Sequence, residues 1–191
     1  MKMKEQELVT HIDSELIFIK PLMRVPKRPV YKVKKNEDVY VLKVFLADDE
    51  WNSRHLNTER TVLERAKDLT GITRLAHFYG VISPHIALLK EYAAGEDINL
   101  APLDTRKNTD IFPERTYICH ALKTQINDTV QKLHNLGIAD LDLSGKNVVI
   151  SPDKKSAKIV DLGHCVLQED VDAETFELSK SRDLYNLKHI F

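Results

Sequence analysis

Over the first half of the chain apolar positions come in short runs split by polar turns, and farther on they recur at helical spacing. Met1 to about Glu15 is polar and reads as a short helix or a loose arm. Strand-like text begins at Leu16 with L-I-F-I-K, passes through a basic, proline-rich connection from Pro21 to Pro29, and resumes as V-Y-K-V-K-K from Val30 and V-Y-V-L-K-V-F from Val39. These runs predict three consecutive antiparallel strands. A helix follows from Trp51, with Leu56, Val62, Leu63 and Ala66 on one face and Gly71 marking its end. Two more strands, Arg74 to Ile82 and His85 to Tyr92, are joined at Ser83-Pro84 and complete a five-stranded sheet carrying one helix. After a polar stretch containing Asp104 to Asp110, Pro113 opens a long helix to about Leu136, with Ile118, Leu122, Ile126, Val130 and Leu133 as its core stripe. The pattern is that of an α+β chain.

Two places break the hydrophobic logic. Lys43 interrupts the apolar third strand, so either its stem is buried while the ammonium snorkels, or it meets a carboxylate. Glu59, one turn before Leu63, is the candidate partner; Glu64 competes for the role but fits the solvent face better. The second place is Gly137 to Gly163. Val148-Val149-Ile150 and Ala157 to Val160 flank the turn-forming Ser151 to Ser156, which predicts a short hairpin. Centred near Lys154, that hairpin puts Asn147 across from Asp161, and Asp142 precedes Asn147 by five residues. Two carboxylates and an amide then converge, a set of hard oxygen donors suited to magnesium. Two carboxylates about 4 Å apart at an effective dielectric near 20 repel by roughly 4 kcal/mol, which favours a cation at such a cluster.

Composition narrows the partners. With 191 residues, 42% of them hydrophobic and 30% charged, the chain has the balance of one globular domain able to bury a core. A net charge of -1 predicts no general affinity for nucleic acid or anionic membrane. No apolar run has transmembrane length, and the M-K-M-K-E-Q-E start lacks a secretory core, so a cytoplasmic location is expected, with delivery into a host cytosol open because composition would not show such a signal. Cys119 and Cys165 lack metal-site spacing and read as free thiols.

From Gly137 to Gly163 the chain resembles the catalytic core of the protein-kinase-like superfamily, where H-R-D-L-x-x-x-N and D-F-G hold the places of D-L-D-L-S-G-K-N and D-L-G here. The resemblance spans nearly the whole chain in family order. It implies a bilobal kinase-like fold, one minimal kinase domain over 1–191, with an N-lobe of about 1–92 and a truncated helical C-lobe of about 93–191. It implies ATP and Mg2+ as cofactors: Lys43, braced by Glu59, on the phosphates; Glu91 and Ala93 as hinge residues pairing with adenine, and Val149 among the nucleotide contacts; Asn147 and Asp161 on magnesium; Asp142 as the catalytic aspartate. Lys90 falls at the usually apolar gatekeeper position, where it would block or salt-bridge the pocket behind adenine, and Asp183 would brace the catalytic loop.

Departures from the family pattern qualify that picture. No glycine lies between Leu16 and Lys43, so the glycine loop whose amides approach phosphate is missing, and Lys20, Arg24, Lys27 or Arg28 is the substitute by side-chain charge, unless they form only a solvated turn. Asp140 and Leu141 replace the His-Arg pair, which implies no clamp on a phosphorylated activation loop. Ser144 resembles the RIO-type and other atypical kinases, Lys146 either assists phosphate or faces solvent, Leu162 replaces the Phe of D-F-G, and the chain ends within what would be helix F, an economy similar to small bacterial effector kinases. The first reading is an atypical serine/threonine kinase acting on a protein substrate. A small-molecule kinase and an inactive pseudokinase scaffold stay open, and the sequence leaves the oligomeric state unknown.

Overall fold

The computed structural model describes residues 4–98 and 113–190, with side chains in the long central helix from residue 120 onward. The polar loop at Asp104 to Asp110 and the side chains of Ile118 and Cys119 lie outside the described residues. The chain divides into two compact units, residues 1–64 with 74–92 and residues 65–73 with 93–191.

The first unit is an antiparallel sheet in the order β1-β2-β3-β5-β4, made of β1 (Ile17–Met23), β2 (Val30–Lys35), β3 (Asp38–Leu46), β4 (Leu75–Ile82) and β5 (His85–Glu91). Alternation along the strands gives the sheet two apolar faces. On one, Tyr31, Val33, Leu42, Val44, Ala87 and Leu89 pack with Leu8, Val9 and Ile12 of helix α1 (Glu5–Ile12). On the other, Val30, Phe45, Ile86 and Leu88 pack with Leu56 of helix α2 (Glu50–Arg65). Asp13 pins α1 to the sheet by accepting hydrogen bonds from Tyr79 Oη at 2.6 Å and Lys35 Nζ at 2.9 Å. The start of α2 is fixed as well: Asp49 Oδ1 accepts the Asn52 amide at 3.3 Å, and Asn52 Nδ2 donates to Leu46 O at 3.2 Å.

Two boundaries differ from expectation. β1 runs through Pro21 instead of stopping at Lys20, because it is an edge strand whose outer side needs no N–H donor, and its pairing with β2 shifts register on either side of the proline. Helix α2 ends at Arg65, not at Gly71. Gly71 serves a different purpose: a Cβ there would lie 2.0 Å from Thr129 Oγ1, so the chain can pass that helix only without a side chain.

The second unit is built on helix α3 (Pro113–Asn135), whose Leu122, Ile126, Val130 and Leu133 are buried. It carries two small sheets. One joins β6 (Glu96–Asp97), β8 (Val148–Ile150) and β9 (Ala157–Ile159); the other joins β7 (Ile138–Ala139) and β10 (Val166–Leu167). Gln125 Oε1 of α3 accepts the Ala157 amide at 3.0 Å, which ties the hairpin to the helix. Helix α4 (Ala173–Ile190) starts inside the acidic segment, capped by Asp172, whose Oδ1 accepts the Thr175 amide at 2.8 Å, and it buries Phe176, Ser179, Asp183 and Leu187. Among the described residues no helix is long and apolar enough to cross a membrane.

Candidate active site

In the first unit, strand parity delivers the charged residues. Lys43 of β3 is opposite Leu88 of β5, and Val41 is opposite Lys90, so the two lysines are diagonal neighbours on the face that α2 covers. Both are buried, at 4% and 3% exposure, and Glu59 of α2 is fully buried between them. Lys43 Nζ donates to Glu59 Oε2 at 2.5 Å, while Lys90 Nζ donates to the other carboxylate oxygen, Oε1. The expected Lys43–Glu59 pair is present, and its second lysine is the residue expected at the gatekeeper position. Glu64 is exposed and faces Arg60 at 3.4 Å, on the solvent side as expected.

The connection from β1 to β2 is a tied turn. Arg28 N–H donates to Val25 O at 2.9 Å, and the carbonyls of Lys27 and Pro29 accept from Leu46 and Val44 at 3.1 Å each. Of the four basic residues expected to meet phosphate, Arg24 pairs with Glu5 at 3.3 Å and Arg28 stacks 4.6 Å from the Trp51 ring centre. At the end of β5, Glu91 exchanges bonds with Arg74, its N–H donating to Arg74 O at 2.8 Å and its Oε2 accepting the Arg74 amide at 3.1 Å. Tyr92 is held beneath Lys32, whose Nζ lies 3.8 Å from the ring centre.

In the second unit, the loop from β7 to β8 is bent by two aspartates in left-handed conformation, Asp140 at φ 55° and Asp142 at φ 45°. Aspartate tolerates this region better than most residues, at a cost of order 1 kcal/mol each. Contacts on either side hold the bend. Buried Leu141 donates its amide to Asp183 Oδ1 at 2.7 Å, His134 Nε2 meets Asp183 Oδ2 at 2.9 Å, and Arg182 Nη1 pairs with Asp140 Oδ2 at 2.9 Å. Between these anchors Asp142 is exposed, while Leu141 and Leu143 on either side of it are buried. Asp183 therefore holds the loop from behind. Its histidine partner, His134, and the neighbouring Arg182 that pairs with Asp140 left no signal in the sequence pattern.

Asn147 closes the loop by donating from Nδ2 to Asp142 O at 2.9 Å and to Asp142 Oδ2 at 3.0 Å. With both amide hydrogens engaged, its Oδ1 is the atom left to a cation, and it and the Asp161 carboxylate are hard oxygen donors of the kind that suits magnesium. The hairpin register corrects the expected facing of Asn147 and Asp161. Val148 pairs with Ile159 and Ile150 with Ala157, so Asn147 stands opposite Val160, whose amide donates to Asn147 O at 3.0 Å. The cause is the turn: Ser151 N–H bonds Ser156 O at 2.9 Å, enclosing four residues and centring the hairpin between Asp153 and Lys154. Asp161 comes one residue later, and the Gly163 amide donates to its Oδ1 at 3.4 Å.

Val149 sits opposite Asp97 of β6, and the Ile98 amide reaches Gly145 O and Val148 O at 3.0 Å each, so β6 and the catalytic-type loop are one hydrogen-bonded body. Ala93 opens this unit just before Gly95, which has φ 142°; a Cβ on Gly95 would lie 1.9 Å from Ile150 O.

No curated protein matches this sequence. A family model does, described as "Protein kinase domain" and covering residues 29–181, from the end of the basic connection into α4. It takes in Lys43, Glu59, Lys90, Asp142, Asn147 and Asp161, and leaves out β1, the strand that precedes the place of the missing glycine loop. That match spans most of the chain and agrees with the five-stranded sheet, the helix that covers it and the helical second unit, so the chain belongs to the protein kinase domain family.

Proposed function

We propose that the chain is an ATP- and magnesium-dependent phosphotransferase acting on a serine or threonine hydroxyl of a protein substrate in a cytosol. The observation that supports this most is the Asp142–Asn147 pair, in which one amide fixes the carboxylate and is itself left with an oxygen for metal. In this reading Lys43, braced by Glu59, contacts the nucleotide phosphates, Glu91 and Ala93 offer backbone groups to adenine, and Val149 packs against the nucleotide. Asn147 and Asp161 would hold magnesium, which when bound neutralises the triphosphate charge. Asp142 orients the acceptor hydroxyl and takes its proton. The acceptor oxygen bonds the γ-phosphorus as the bond to the β,γ-bridging oxygen breaks and ADP leaves. Positioning and charge carry such a transfer without a covalent intermediate.

A second reading, a non-catalytic scaffold, is favoured by the β1–β2 connection, which has no glycine and whose Arg24 and Arg28 are engaged with Glu5 and Trp51. Incubation with γ-labelled ATP and magnesium separates the two, comparing the native chain with Asp161→Ala. Label on protein that the variant abolishes supports the proposal. Label on a small-molecule fraction moves the acceptor class, and no transfer by the native chain supports the scaffold.

A further inference from the structure

A row of stacked groups crosses the first unit from its core to its surface. Phe45 of β3, on the face that α2 covers, has its ring centre 5.6 Å from that of His55. His55 stacks on Trp51 at 4.8 Å, and the guanidinium of Arg28 lies 4.6 Å from the Trp51 ring centre. Trp51 and His55 are four residues apart on α2, so the helix presents both rings on one side. Exposure rises along the row, from 2% at Phe45 and 6% at His55 to 43% at Trp51. The inner end is core, and the outer end meets an arginine that belongs to the β1–β2 connection. From Lys27 onward the carbonyls of that connection continue the ladder with β3, to Leu46 and Val44. Its earlier part has the turn from Arg28 N–H to Val25 O and the exposed Arg24–Glu5 pair. Between the connection and the start of α2 lies a pocket of about 530 Å3, with residues 25–28 on one side and Asp49, Trp51 and Asn52 on the other. The connection therefore has space to move into, and the Arg28–Trp51 contact spans it.

We infer that Arg28 and Trp51 are positioning residues for nucleotide binding: their stack holds the β1–β2 connection to α2, and Arg28 acts through Trp51 and not by touching phosphate itself. The assignment rests on the nucleotide-binding reading above, in which this connection takes the place of the missing glycine loop. A connection without glycine has little freedom to remodel itself around phosphate, so its shape is set before the nucleotide arrives. Losing the stack leaves that ordering to be done on binding, and affinity falls accordingly.

The test measures Kd for magnesium-ATP by calorimetry on the full chain, for the native protein, Arg28→Met, Trp51→Ala, the Arg28→Met/Trp51→Ala double variant and Trp51→Phe, with folding followed by thermal melting. Salt is kept at about 0.15 M, where charges more than about 8 Å apart are largely screened. The expected result is a Kd raised about threefold in Arg28→Met and about fivefold in Trp51→Ala, with no further rise in the double variant. Trp51→Phe, which keeps a ring under the guanidinium, is expected within about twofold of native. If Trp51→Ala does not fold, Trp51→Leu replaces it with the same expected result. An arginine that contacts phosphate directly would raise Kd by the same factor in the native and Trp51→Ala backgrounds, and that result overturns the inference. So does a lower melting temperature in Arg28→Met and Trp51→Ala with Kd unchanged, which is what a merely structural stack would give. Transfer is assayed on the same samples: coupling in Kd without any transfer supports the stack and overturns the phosphotransferase reading, whereas transfer without coupling does the opposite. A native chain that binds no magnesium-ATP overturns both.

Discussion

The two units hold their acidic residues in opposite ways. In the first, Glu59 is fully buried between two lysines, placed by strand parity and by a helix whose start is tied to the end of β3. In the second, Asp142 is exposed at the tip of a left-handed bend, placed by backbone bonds and by Asp183 from behind. A buried ion pair offsets a large desolvation cost, so losing one partner falls on stability. An exposed acid in a strained loop adds little to stability, and its loss falls on chemistry.

That contrast can be broken most readily at Glu59. Glu59→Gln leaves two buried ammonium groups facing a neutral amide, and urea denaturation is expected to show a loss of about 3–5 kcal/mol; a loss below about 1 kcal/mol would mean the buried cluster is no more demanding than a surface pair. Asp183→Asn keeps the shape but removes the charge that His134 and the Leu141 amide face, with an expected cost of about 2–3 kcal/mol and a looser Asp140–Asp142 bend, readable as faster amide exchange at Leu141. For Gly95→Ala the expected cost is about 2 kcal/mol, since the new Cβ would meet Ile150 O in a backbone region that alanine avoids; an unchanged melting temperature would show that β6 is not fixed to β8 as described.

The smallest effect belongs to the surface pair of Arg65 and Glu169. The hydrogen bond from Arg65 holds the Glu169 carboxyl down to about 2, against an ordinary 4.5. The folded value is depressed, so this stabilisation is complete above the ordinary value and is lost as pH falls toward about 2. Glu169 is more than half exposed, which limits the contribution to under about 1 kcal/mol. Glu169→Gln should flatten stability against pH across that window by this amount, as read from thermal melts at stepped pH.

Strand alternation made the sheet legible, and Lys43 stood out because it interrupted an apolar run. The same alternation in H-I-A-L-L-K-E puts Lys90 on the face of Ile86 and Leu88, yet nothing in the sequence says which strand lies beside it or at what register, so its meeting with Glu59 was visible only in three dimensions. The hairpin was legible and its register was not: whether the turn encloses an odd or an even number of residues depends on one closing pair, Ser151 with Ser156, and that choice moves Asp161 off the position facing Asn147. Pro21 misled because a proline ends most strands, and edge position, a property of topology, exempts it. His134 looked like one more polar residue on a helix, and only the packing of α4 gives it Asp183.

The most direct measurement is phosphoryl transfer from γ-labelled ATP by the native chain and by Asp142→Asn, with Kd for magnesium-ATP taken on both. The account predicts a loss of transfer of at least about a thousandfold in the variant, while Kd stays within a few-fold, because in the proposed mechanism Asp142 acts on the acceptor's proton and not on the nucleotide. Equal transfer by the two proteins would contradict it.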